Sequence, residues 1–148
     1  MELHGRLRIS EPGKPHKTVG AFGQFFRDNA DVFRRHFGVS LFPGSLNVNV
    51  PHPATLQADL DAGRPSPKIV IPLEEFSAMP GYLGNGRAWP CTLQCSSMSS
   101  PVQCWVFRRI NSRVPSGMIE LLAPIPLVST YELRDGDSVI IRFDPNGP

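Results

Sequence analysis

The sequence predicts a mainly β protein: a small β-barrel with one main helix and short helical inserts. Three observations predict it. Pro and Gly are abundant, 16 and 13 in 148 residues, and they cut the chain into short segments. Apolar residues alternate with polar ones over runs of four to eight residues, the period of a half-buried strand. No strand–helix–strand unit repeats, so a parallel α/β sheet is excluded and closure of short strands into a barrel is favoured.

The bulk composition bounds the function. A chain of 148 residues with 41% hydrophobic and 19% charged content is expected to form one domain, residues 1–148, with a real core. The formal net charge of +2, without basic runs or an acidic tail, argues against bulk nucleic-acid binding. No apolar run approaches membrane-spanning length and the N-terminus lacks a signal-peptide core, so a cytoplasmic location without membrane contact is expected. A monomer or small homo-oligomer is the corresponding assembly. Cys91, Cys95 and Cys104 have the number of a partial zinc site, but all four histidines precede residue 53. Reduced, partly buried thiols are the expected state.

The elements follow in order. Residues 3–9 alternate weakly through Leu3, Gly5, Leu7 and Ile9 and predict a first strand. Residues 10–20 hold two prolines and two glycines and predict a loop. Residues 21–26 lead into the main helix, with Asp28 or Asn29 as N-cap, Val32, Phe33 and Phe37 on one face, and Gly38 as its stop. This helix is expected to plug an open end of the sheet, and Phe22, Phe25 and Phe26 to join the core. Pro43-Gly44 predicts a turn, and residues 45–50 a strand with Leu46, Val48 and Val50 on its buried face. Residues 51–67 have slight helical character at Leu56 and Leu60 but read mainly as an excursion. Further strands are predicted over 68–73, 88–94, 102–108 and 118–124. A short helix or turn follows over 127–133, then the Asp135-Gly136-Asp137 turn and a closing strand over 138–143.

Three places carry candidate chemistry. Ser45 and Asn47 stand two residues apart on the polar face of one strand, so a hydroxyl and an amide carbonyl point the same way. Such hard oxygen ligands suit Mg²⁺ already carried by phosphates; the default reading is a solvated polar face. The loop residues Gly13, Lys14, Lys17, Thr18 and Gly20 could hold an anion, without the spacing of a Walker A loop; a solvated basic loop is the default there. Glu120 lies among Ile119, Leu121 and Leu122. Strand alternation allows it to point outward, the default; in a pocket, desolvation would raise its pKa and suit it to general-base work.

Three segments in this order carry a resemblance: Phe37-Gly38 with Phe42-Pro43-Gly44-Ser45-Leu46-Asn47-Val48, then Ile119-Glu120-Leu121-Leu122-Ala123-Pro124, then Leu133-Arg134-Asp135-Gly136-Asp137-Ser138-Val139. Together they resemble the archaeal CTP-dependent riboflavin kinase family, which has a Gly-Thr-Leu-Asn strand, a Glu-Ile-Ile-Ala-Pro-like strand and a Leu-Lys-Asp-Gly-Asp-like turn. The resemblance runs from about residue 5 to about residue 143. It implies a six-stranded cradle-loop barrel that moves a phosphoryl group from CTP, or here another nucleoside triphosphate, to the 5′-hydroxyl of riboflavin, giving FMN. By that resemblance Ser45 and Asn47 are Mg²⁺ ligands. Glu120 is the flavin-contacting base, Ser112 a second flavin contact, and Gly13, Lys14, Lys17, Thr18 and Gly20 the nucleotide loop.

The sequence departs from the family at two points. The family's glycine-rich phosphate loop is replaced by the longer residues 11–20, with two lysines and Pro15 between Gly13 and Gly20. The charged run that follows Ala-Pro in the family is here the uncharged Pro126-Leu127-Val128-Ser129. The metal and acceptor side is kept and the nucleotide side rewritten. The leading expectation is a divergent phosphotransferase; the alternative is a flavin- or nucleotide-binding module without transfer. A DNA-binding barrel is the third class, and the near-neutral charge counts against it.

Overall fold

The computed structural model describes residues 1–9, 21–51, 53–77, 84–109 and 117–147, with the backbone alone for residues 21–23 and 53–55. Seven strands form one antiparallel sheet: β1 (Glu2–Arg8), β2 (Leu46–Asn49), β3 (Ile69–Ile71), β4 (Gly86–Gln94), β5 (Val102–Arg109), β6 (Met118–Leu122) and β7 (Ser138–Phe143). Their order is β3-β4-β5-β6-β2-β1-β7, and β4 also pairs with β7. That last pairing, from Cys91 opposite Phe143 to Gln94 opposite Ile140, closes six strands into a barrel and leaves β3 as an added strand on the first half of β4. Closure removes the exposed edges that an open sheet would present.

Alternation within the strands divides the apolar residues between two cores. Leu7, Leu46, Val48, Trp89, Val106, Ile119, Leu121, Val139 and Ile141 point inward and fill the barrel. Ala88, Trp105, Phe107 and Leu122 point the other way and form a second, aromatic-rich cluster on the outer wall. Cys91, Cys95 and Cys104 are free and buried in the inner core, and the first and last of these face each other across β4 and β5 with sulfurs 3.4 Å apart.

Two eight-residue helices, α1 (Ala21–Asp28) and α2 (Ala30–Phe37), cover the outer cluster. Helices this short are marginal alone, so packing has to hold them. Phe25, Phe26, Phe33 and Phe37 bury their rings there, with Phe33 stacked 4.5 Å from Phe26 and Phe37 edge-on to Trp105 at 5.2 Å. Each buried ring contributes roughly 1.5–3 kcal/mol, far more than helix propensity supplies over eight residues. The expectation that the main helix plugs an open end of the sheet is therefore corrected: both helices pack on its outer face. The ring cluster Phe25–Phe26 is core, as expected, while the Phe22 side chain lies outside the described residues. Asn29 stands between the helices, but its side chain does not cap α2. Its amide donates to the Phe25 carbonyl at 2.8 Å and accepts from the Ser77 backbone at 2.7 Å. Gly38 ends α2 in the left-handed region at φ 75°, its N–H bonded to Arg34 O.

The expected excursion over residues 51–67 holds a true helix, α3 (Pro53–Asp61). Leu56 and Leu60 from α3 join the inner core, as do Leu127 from α4 (Leu127–Thr130) and Leu133 beyond it. Leu56 and Leu60 are the only large apolar residues of α3; the barrel's need for apolar cover makes it a helix. The 135–137 turn ties back to β1, where Gly136 N–H bonds Leu7 O at 2.8 Å and Ile9 N–H bonds Asp135 Oδ1 at 2.8 Å. Among the described residues no helix is long and apolar enough to cross a membrane.

Candidate active site

The β2–β6 register sets Asn47 directly opposite Glu120. The β5–β6 register sets Phe107 opposite Glu120 on the other flank. Directly paired residues share a face, so Asn47, Glu120 and Phe107 all lie on the outer wall of the barrel. Ser45, one residue before β2, donates from its hydroxyl to Glu120 Oε1 at 3.3 Å. Ser45, Asn47 and Glu120, the residues expected from the sequence to act together, are thus gathered on two adjacent strands.

Glu120 points outward from the barrel, as alternation allows, yet it is only half-buried rather than solvated. A small crevice beside the carboxylate is lined from both faces of the wall, by Leu60 of α3, Val106 and Ile119 of the inner core and by Phe107, Arg108 and Met118. Burial pushes the Glu120 carboxyl above its ordinary range, opposed more weakly by the Ser45 hydroxyl and the Arg109 and Arg108 guanidinium groups. Such a carboxylate is a better proton acceptor than an exposed one. Arg108 is engaged with Asp61 through two bonds, of 2.6 and 3.0 Å. Arg109 is 3% exposed and lies over the Phe25 ring, its guanidinium carbon 4.2 Å from the centroid. The sequence reading missed both arginines. Their signal was the Phe107-Arg108-Arg109 run at the end of a strand, but its register against β6 was not legible.

Asn47 Oδ1 is buried and has no hydrogen-bond partner among the described residues. A buried acceptor left unmatched is uncommon and calls for a reason. A hard cation fits it: Asn47 Oδ1, Ser45 Oγ and the Glu120 carboxylate are all oxygen donors of the kind Mg²⁺ takes. No group of three or more His, Cys, Asp or Glu side chains clusters among the described residues, so an all-protein cage of those types is not built there. Beside Ser45 a cleft of about 310 Å³ runs between residues 42–46 and 121–129. Gly13, Lys14, Lys17, Thr18, Gly20 and Ser112 lie outside the described residues.

The fold is a closed six-stranded cradle-type barrel, and it brings a carboxylate, a hydroxyl and an unmatched amide oxygen together. Comparison with known proteins narrows the class. The model of the CTP-dependent riboflavin kinase family, described as a domain of unknown function (DUF120), matches residues 23–143. The chain belongs to this family, as a divergent member. It is 28% identical to a riboflavin kinase of Methanosarcina barkeri over 139 residues, covering 91% of this chain and 56% of the relative. A riboflavin kinase of Methanospirillum hungatei is 30% identical over 123 residues, 83% of this chain and 51% of the relative. The chain thus spans about half the length of these curated relatives. A riboflavin kinase of Methanothermobacter thermautotrophicus is 27% identical over 77% of this chain and 80% of its own length.

Proposed function

We propose that this chain is a Mg²⁺-dependent phosphotransferase that moves the terminal phosphoryl group of a nucleoside triphosphate to the 5′-hydroxyl of riboflavin, giving FMN. The observation that carries the reading is the half-buried Glu120 carboxylate, hydrogen-bonded by Ser45 and set opposite Asn47 with its unmatched Oδ1. The substrate is taken from the riboflavin kinases to which the chain is similar.

In this reading Glu120 takes the proton of the ribityl 5′-hydroxyl as the hydroxyl oxygen bonds to the terminal phosphorus and the bond to the departing nucleoside diphosphate breaks. The Ser45 hydroxyl holds the carboxylate in one orientation. Ser45 and Asn47 would hold the metal, and the metal, when bound, neutralises charge on the phosphates. Both are uncharged, so phosphate oxygens supply most of its affinity. Arg109, buried beneath α1, contributes fixed positive potential beside the reacting groups. Gly13, Lys14, Lys17, Thr18 and Gly20 are proposed to hold the nucleotide phosphates, and Ser112 to contact the flavin. Catalysis is then positioning plus electrostatics.

The uncharged walls of the cleft beside Ser45 favour one second reading, a module that binds flavin or nucleotide without transfer. One assay separates the two. Protein, riboflavin and Mg²⁺ are incubated with CTP, ATP, GTP or UTP separately, and FMN is followed by chromatography. FMN from any donor is the expected result and names the donor. Ligand binding with no FMN from all four would reject phosphoryl transfer to riboflavin.

A further inference from the structure

The registers that gather the site continue one strand further. Arg8 of β1 is paired directly with Asn47 of β2, Asn47 with Glu120 of β6, and Glu120 with Phe107 of β5. Directly paired residues share a face, so Arg8, Asn47, Glu120 and Phe107 form one row across the outer wall of the barrel. Arg8 stands beside Asn47 on the flank away from Glu120. Residues opposed in this way have Cβ atoms about 4.5–5.5 Å apart. A group held at Asn47 Oδ1 is therefore within reach of the long Arg8 side chain.

The other arginines near the row have partners of their own. Arg108 is held by Asp61, and Arg109 is buried over the Phe25 ring. Arg6, two positions before Arg8 on the same face of β1, donates to Gly136 O at 3.1 Å. Arg8 is exposed and makes no hydrogen bond or ion pair with a described residue. Its direct neighbour in the row, Asn47, is a neutral amide and does not balance its charge. What a guanidinium in this position can pair with is an anion held at Asn47, and its planar fork matches two phosphate oxygens at once.

From this register we propose that Arg8 is a phosphate-binding residue: its guanidinium takes oxygens of the nucleotide's triphosphate chain, on the side of Asn47 away from Glu120. This deepens the phosphotransferase reading and rests on it for the ligand. The row then orders the charges of the reaction. The cation lies at one end, the neutral oxygen ligand in the middle, and the proton acceptor beyond it. Charge on the transferred phosphoryl group is met from the Arg8 side, and the alcohol is deprotonated from the Glu120 side. A contact to phosphate does not see the base, so Arg8 contributes affinity for every nucleoside triphosphate alike.

The test uses inorganic tripolyphosphate with Mg²⁺, a probe without base or sugar, and calorimetry on wild type, Arg8→Gln, Arg8→Lys and Arg142→Gln. Arg142 is the control for the loss of one positive charge, since it pairs with Glu2 at the opposite end of β1. Both arginines are exposed, so neither change removes core, and thermal melts check that each variant is folded. Arg8→Gln should weaken tripolyphosphate about ten- to a hundredfold, the span of one or two charge-assisted hydrogen bonds. Arg8→Lys keeps the charge without the fork and should fall between Arg8→Gln and wild type. Arg142→Gln should stay within about twofold of wild type. Affinity should drop with added salt in wild type and drop less steeply in Arg8→Gln, a readout that a purely structural role does not move. Equal affinity in Arg8→Gln and Arg142→Gln, or no tripolyphosphate binding by wild type, would overturn the proposal whether or not FMN is formed. Arg8-dependent tripolyphosphate binding with no FMN from any donor upholds the phosphate contact and rejects only transfer to riboflavin.

Discussion

At the residue scale, Asn47 and Glu120 are arranged against stability. A buried acceptor without a partner costs about 1–3 kcal/mol. Asn47→Leu, similar in volume and free of polar atoms, should therefore raise the free energy of unfolding by roughly 1 kcal/mol or more. On the proposed function it should abolish Mg²⁺-dependent nucleotide binding at the same time. Denaturant titration and calorimetry on one preparation check both, and a less stable variant would remove the orphan-acceptor argument. Glu120 has the opposite ionisation problem: its carboxyl is raised by burial. A carboxyl raised on folding stabilises fully at pH below its unfolded value, near pH 4, and that contribution is lost as pH rises through the folded value. Glu120→Gln has no such loss, so its stability advantage over wild type should grow with pH across that window and level off above it. Denaturant melts from pH 4 to 8 measure this, and parallel curves would contradict it. The same variant should lose about 10²–10⁴ in FMN formation if Glu120 is the base.

At the scale of elements, β2 carries half the site and β1 fixes where β2 sits. Gly5 occupies an inward position of β1, and a Cβ there would lie 2.6 Å from Asn49 O and 2.7 Å from Val48 Cγ1. The backbone oxygen cannot yield without moving the strand. Gly5→Ala should destabilise the fold by about 1–3 kcal/mol, the range of overpacking. On the proposed function it should also raise the KM for the nucleotide by shifting Asn47, although Gly5 is not part of the site. Wild-type stability in this variant would show that β1 and β2 can part without strain. Gly5 was legible in the sequence as an inward position of a weak strand, but not as a contact with β2, because the chain separates the two by some forty residues. The α3 helix shows the converse. Leu56 and Leu60 gave slight helical character, and only the barrel interior decided that they form one turn face of a helix.

Across the whole molecule, the two cores share strands β4, β5 and β6, with alternate residues serving each. The two tryptophans divide between them: Trp89 is in the barrel and Trp105 in the outer cluster. Trp89→Phe and Trp105→Phe each leave one reporter, and both should report one shared unfolding transition, since neither core can lose its strands alone. Trp89→Phe should be the costlier by about 1 kcal/mol. It loses the 2.7 Å bond from its indole to Pro65 O, whereas the Trp105 indole N–H has no hydrogen-bond partner among the described residues. Separate midpoints would mean that the helical layer melts independently of the barrel.

The alternation of short runs was enough for the strands, and the Ser45, Asn47 and Glu120 motifs were enough for the family, because both are local patterns of residue type. Tertiary structure decided the rest. Which strand meets which is a matter of register, and register alone brings Glu120 to Asn47, seventy-three positions away. Whether an outward carboxylate meets water depends on what packs around it, and its surroundings include Leu60 of α3 and the β5 arginines, remote in sequence. A strand pattern states that Glu120 faces out of the barrel; only the packing around it sets the low-polarity surroundings that raise its basicity.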